Sequence, residues 1–106
     1  MNYDRVLLIS IDSLAKRYGY LFEKYFTTSF KNYCTTSSWT LPSHLAMLSG
    51  VQSPSLFFHE KLSNFNKYEN FVSNIPTIAT PLKQIGFKTR AITGGGFMSK
   101  FFGWGH

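Results

Sequence analysis

A short apolar run near the N-terminus constrains the fold of this 106-residue chain more than any other feature. Residues 6–11 read Val-Leu-Leu-Ile-Ser-Ile, so an extended segment would carry apolar side chains on both faces. Strands buried on both faces are typical of parallel sheets that helices cover. A helical pattern over residues 75–86 and a strand pattern over residues 88–92 continue the alternation. We therefore expect an α/β fold with residues 6–11 at the sheet centre and residues 88–92 parallel to them.

The helix predicted over residues 75–86 contains a proline. Leu82 and Ile85 would face the core, and Gly86 would cap the C-terminus. Because Pro81 lacks a backbone N–H, the helix either starts late, with Thr80 as its N-cap, or carries a kink.

Asp12 follows the apolar run directly. In open α/β sheets ligands bind beyond the C-terminal ends of the strands, so an acidic residue there suits a ligand or metal site. The alternative is that Asp12, together with Ser13, only caps the following turn. The residues alone favour neither interpretation.

A hydroxyl-rich loop runs into a predicted short helix over residues 40–50. Pro42 suits a first helical turn, Gly50 supplies a stop, and three leucines share one face: Leu41, Leu45 and Leu48. Thr40 therefore lies at or beside the helix N-terminus, where the helix dipole favours anions and negative charge on a hydroxyl oxygen. A threonine in this place is also an ordinary helix cap.

These residues resemble a known motif. The run Thr40-Leu41-Pro42-Ser43-His44, with Leu48-Ser49-Gly50 behind it, resembles the nucleophile motif of the sulfatase and alkaline phosphatase superfamily, whose sulfatase form is Cys/Ser-x-Pro-Ser-Arg followed by Leu-Thr-Gly. The resemblance extends to residues 6–12, 75–79, 83–89 and 94–97. It implies a three-layer α/β sandwich of the alkaline phosphatase-like type, with a mostly parallel sheet flanked by helices. Residues 1–106 would then be the N-terminal portion of a truncated catalytic domain.

The resemblance also implies roles for three residues. Thr40 falls on the nucleophile position, and both Asp12 and Thr40 fall on metal-ligand positions for a divalent cation: Ca²⁺, Mg²⁺, Mn²⁺ or Zn²⁺. His44 stands where the sulfatase motif has arginine, so it either orients or neutralises the reacting group or only hydrogen-bonds the loop. The missing arginine, and threonine in place of cysteine or serine, argue against formylglycine formation.

The implied function is metal-dependent hydrolysis or transfer of phosphate or sulfate esters by a threonine nucleophile. The expected substrate is an anionic ester of a small molecule, glycan or lipid. Full members of the superfamily supply further metal ligands from a later segment, so we expect little activity from these 106 residues alone. Two alternatives stay open: a non-catalytic remnant and a basic nucleic-acid-binding domain.

The net charge of +6 favours anionic partners, although lysines scattered along the sequence also make an ordinary solvated surface. Aromatic residues between 18 and 26 have a spacing that predicts an amphipathic helix over residues 19–27 and places their rings in the core. We therefore expect no nucleic-acid partner. An exposed sheet edge would allow the chain to form oligomers.

No apolar run is long enough for a signal peptide or a membrane span, which predicts a cytoplasmic protein. Residues 51–74 have a loop-like composition. His59 among them resembles a histidine found after the nucleophile helix in many members of the superfamily, but surface or loop packing is expected. The three glycines at 94–96 either bring the backbone close to a phosphate or form a flexible turn.

Overall fold

The computed structural model describes residues 4–51, 72–102 and 104. Three α-helices have defined bounds: α1 (Tyr20–Glu23), α2 (Thr40–Ser49) and α3 (Ala79–Gln84). Residues 72–74 are also helical. Short 3₁₀ helices cover Lys16–Tyr18, Gly96–Met98 and Lys100–Phe102. The chain divides into two compact units, Met1–Tyr33 and Cys34–His106, and each is described by itself.

The predicted α/β fold is wrong, because the described part of the chain contains no β-strand. Residues 6–11 and residues 88–92 have no regular secondary structure, and their side chains are exposed, Ile92 by 91%. A strand exists only through hydrogen bonds to a neighbouring strand, and an apolar pattern does not supply that neighbour. The oligomer contact predicted at a sheet edge loses its basis for the same reason.

The first unit contains less helix than its aromatic spacing predicts. Of the helix expected over residues 19–27, only α1 forms. The backbone hydrogen bonds around it run from residue i+3 to residue i; for example, the Phe22 N–H donates to the Gly19 carbonyl at 3.0 Å. Isolated helices this short are marginal, since each turn costs backbone entropy that only packing repays. The aromatic residues assigned to the core are instead mostly exposed.

The second unit is built around α2. Leu41, Leu45 and Val72 are almost fully buried in one hydrophobic cluster. Four partly buried side chains pack against that cluster: Trp39, Ile75, Phe102 and Trp104. Gly50 ends the helix in the left-handed conformation, with φ of 74°, and its N–H donates to the Ala46 carbonyl at 2.9 Å. The helix predicted over residues 40–50 is thus confirmed in its start, its buried face and its stop.

The helix α3 starts late, at Ala79, as one of the two interpretations of Pro81 predicted. Its N-cap is Ile78 rather than Thr80, and the Ile78 N–H donates to the Leu48 carbonyl at 2.7 Å, which ties α3 to the end of α2. After α3 the Gly86 N–H donates to the Lys83 carbonyl and the Phe87 N–H to the Leu82 carbonyl. This pair of bonds is the Schellman pattern, with Gly86 at φ of 96°. Ile85, predicted to face the core, is 73% exposed.

Candidate functional site at the start of α2

Thr40 is the first residue of the ten-residue helix α2 and is partly buried. The residue before it, Trp39, is the N-cap: its backbone is extended, with φ of −142° and ψ of 164°, and its side chain makes no capping hydrogen bond. Thr40 is therefore not the helix cap, and its predicted place at the helix N-terminus is confirmed. The helix dipole concentrates positive partial charge at this end, which favours an anion near Thr40.

The loop before α2 is fixed by hydroxyl groups. The Ser43 Oγ donates to the Ser37 carbonyl at 2.9 Å, and the Thr35 Oγ1 donates to the same carbonyl at 2.9 Å. Ser43 lies in the first turn of α2, so its hydrogen bond joins the loop to the helix. The first turn of α2, which contains Thr40, is consequently joined to the loop.

His44 lies one helical turn after Thr40 and is partly buried. Its Nδ1 is 2.9 Å from the Thr40 carbonyl oxygen. A carbonyl only accepts hydrogen bonds, so this contact requires the proton on Nδ1 and leaves the lone pair of a neutral ring on Nε2. The ring of the histidine is thus oriented by the backbone of Thr40. Its catalytic role stays a prediction.

The glycine-rich turn lies beside the same helix. The 3₁₀ helix Gly96–Met98 packs against α2, and the rings of Trp39 and Phe97 meet edge to face at a centroid distance of 5.4 Å. Gly95 and Gly96 have positive φ values of 89° and 57°. A Cβ built at either glycine meets no described atom within 4 Å, so the backbone here is open to close approach.

Two further hydrogen bonds hold this turn in place. The Thr93 Oγ1 donates to the Met98 carbonyl at 3.2 Å, which closes the loop around the glycines. The indole Nε1–H of Trp104 donates to the Phe97 carbonyl at 2.9 Å. Sequence reasoning missed the positioning role of three aromatic residues: Trp39, Phe97 and Trp104. The available signal was the aromatic residues themselves, since aromatic rings favour edge-to-face pairing and a tryptophan N–H usually finds a hydrogen-bond partner.

Comparisons with family models, curated proteins and solved structures find no match to this chain. The resemblance to the superfamily motif therefore rests on the quoted residues alone. Neither the helical fold of the described residues nor these comparisons supports the sulfatase and hydrolase classification.

Asp12 belongs to the first unit, whereas Thr40 belongs to the second. Asp12 lies in an exposed turn, followed by Ser13 in the left-handed region at φ of 59°. The described residues contain no group of three or more His, Cys, Asp or Glu side chains that could hold a metal ion. They thus give the predicted metal-binding character no support. The pairing of Asp12 with Thr40 stays a prediction.

Among the described helices, none is both long and apolar enough to cross a membrane. The predicted cytoplasmic location has no test in the structure. His59 and most of the predicted loop over residues 51–74 lie outside the described residues.

Proposed function

We propose that this chain acts on phosphate or sulfate esters, with Thr40 as the residue that attacks the ester. The observation that carries the proposal is the position of Thr40 as the first residue of α2, a helix against which the glycine-rich turn packs. A helix N-terminus and open glycine backbone are both features that suit anions.

The chemistry requires one bond to form and one to break. The Thr40 hydroxyl oxygen would attack the phosphorus or sulfur atom, and the ester oxygen of the leaving group would depart with the bonding electron pair. The hydroxyl proton would pass to a base, for which we propose the Nε2 lone pair of His44, either directly or through water. Water would then release phosphate or sulfate from Thr40.

A threonine hydroxyl is a weak nucleophile unless a base or a metal activates it. We therefore expect slow modification of Thr40 rather than rapid turnover from the 106-residue chain. The resemblance implies a divalent cation, which would supply Lewis-acid activation of the Thr40 hydroxyl.

The test incubates the chain with p-nitrophenyl phosphate and, separately, with p-nitrophenyl sulfate. Peptide mass spectrometry then locates any phosphoryl or sulfuryl group, without metal and with each of Mg²⁺, Mn²⁺, Ca²⁺ and Zn²⁺. We expect the group on Thr40 in the original chain, a serine ester in Thr40→Ser and no such group in Thr40→Ala. Ser38→Ala is the matched control, since Ser38 is an exposed hydroxyl in the same loop.

Modification of the α2 region that persists in Thr40→Ala would contradict the proposal. Binding of inorganic phosphate can be followed separately, through the amide NMR signals of Thr40 and the glycines at 94–96. Phosphate binding without any covalent group on Thr40 would favour the non-catalytic alternative.

A further inference from the structure

We infer that residues 14–33 form a binding surface for single-stranded nucleic acid. This segment contains seven aromatic and four basic residues but only one acidic residue, Glu23. The sequence pattern argued against base stacking because it assigned the rings to the core. In the structure six of the seven rings are exposed: Tyr18, Tyr20, Tyr25, Phe26, Phe30 and Tyr33.

Positive charge is held directly beside these exposed rings. The guanidinium carbon of Arg17 lies 4.9 Å from the centroid of the Tyr18 ring, and the Nζ of Lys24 lies 5.0 Å from the centroid of the Tyr25 ring. Each pair therefore places a cation next to a flat aromatic face. A nucleic-acid strand presents the complementary pair, a phosphate charge next to a base that can stack.

The same segment fits a membrane surface less well. Helices that bind at the membrane surface present a continuous apolar face to the lipid. The one α-helix between residues 14 and 33 is α1, which is four residues long. Aromatic residues also outnumber the leucines in the segment, which are Leu14 and Leu21. Exposed ring faces with cations beside them are the features that single-stranded nucleic-acid sites use for base stacking and phosphate contact.

Charge complementarity sets the expected salt dependence. If the four basic side chains, Lys16, Arg17, Lys24 and Lys31, each contact one phosphate, the affinity for a single strand should fall about 50-fold between about 50 mM and about 200 mM salt. Replacing Arg17 and Lys24 by glutamine would leave two such contacts. The same change in salt should then weaken binding only about 7-fold.

The experiment measures fluorescence anisotropy of a labelled oligo(dT) of about 16 nucleotides with the full 106-residue chain. Tyr25 and Phe26 are 70% and 62% exposed, so substitutions there disturb packing little. Tyr25→Phe keeps an aromatic ring and should bind like the original chain. Tyr25→Leu and Phe26→Leu keep apolar area without a flat aromatic face, and each should weaken binding roughly tenfold.

The matched control for charge replaces Lys83 and Lys88 by glutamine, which removes two exposed positive charges from the second unit. This control should retain the affinity and salt dependence of the original chain for oligo(dT). Vesicles of phosphatidylserine and phosphatidylcholine test the membrane alternative in parallel.

Three results would overturn the inference. The first is no anisotropy change at about 50 mM salt, where the electrostatic contribution is strong. The second is equal binding by the leucine variants and the original chain. The third is binding to vesicles that is stronger than binding to oligo(dT) and that the leucine variants retain. Leucine would support lipid insertion, because insertion needs apolar area rather than an aromatic face.

Discussion

Replacing Leu45 by alanine should remove a large part of the stability of the second unit. Leu45 is 0% exposed and lies at the centre of the cluster with Leu41 and Val72. The truncation removes about three buried carbon groups, each contributing about 0.8 kcal/mol through transfer from water. An unfilled cavity adds to this, so we expect a loss of about 3 kcal/mol, within the usual range of about 2–5 kcal/mol for such changes. Domains of this size are stable by only about 5–15 kcal/mol.

Urea unfolding followed by tryptophan fluorescence measures this loss, because Trp39 and Trp104 both pack against the cluster. With a slope of about 2 kcal/mol per molar urea, the midpoint should fall by about 1.5 M. Met47→Ala is the matched control on the same helix, since Met47 is 42% exposed and alanine is a strong helix former. A midpoint for Leu45→Ala within about 0.3 M of the original, or an equal shift for Met47→Ala, would refute the packing described for α2.

Two further predictions concern glycines with positive φ. Gly50→Ala should destabilise the second unit by about 1 kcal/mol, because Gly50 ends α2 in the left-handed conformation, and urea unfolding again measures the effect. Gly95→Ala should cost about 1–3 kcal/mol, since φ of 89° with ψ of −145° is almost confined to glycine. Gly94→Ala, at a position without positive φ, is the control for Gly95→Ala and should change stability little. Equal losses of stability for Gly94→Ala and Gly95→Ala would contradict the conformation assigned to the turn.

The features of α2 could be predicted because they depend on neighbouring residues. A proline in the first turn, leucines at helical spacing and a glycine stop all act within one or two helical turns. The buried Leu41 and Leu45 and the left-handed Gly50 follow directly from that local chemistry. The same holds for the late start of α3, where Pro81 restricts the first turn.

The sheet could not be predicted because strand pairing is non-local. The apolar side chains of residues 6–11 favour an extended conformation and burial, yet neither property specifies which strand would pair with this segment. In the structure this run has no regular secondary structure, and its apolar side chains are exposed. The aromatic rings of residues 18–26 were misassigned for a related reason: helical spacing indicates one shared face, but not what covers that face.

The neighbours of Thr40 also lay beyond sequence reasoning. The loop, the helix and the glycine-rich turn were each identified as candidates, but nothing in their spacing predicted the Trp39–Phe97 contact that brings the turn to α2. Contacts between residues far apart in the chain depend on the whole packing arrangement.

Anion recognition is common to both proposals, yet they use different residues in different compact units. Thr40 belongs to the second unit, and the aromatic and basic side chains of residues 14–33 belong to the first. No residue between 14 and 33 has a role in the chemistry proposed for Thr40, so each substitution is expected to change one activity alone. Thr40→Ala should therefore leave the affinity for oligo(dT) unchanged, and Tyr25→Leu should leave the modification of Thr40 by p-nitrophenyl phosphate unchanged. If either variant alters both measurements, the two activities share one site, and their assignment to separate units is wrong.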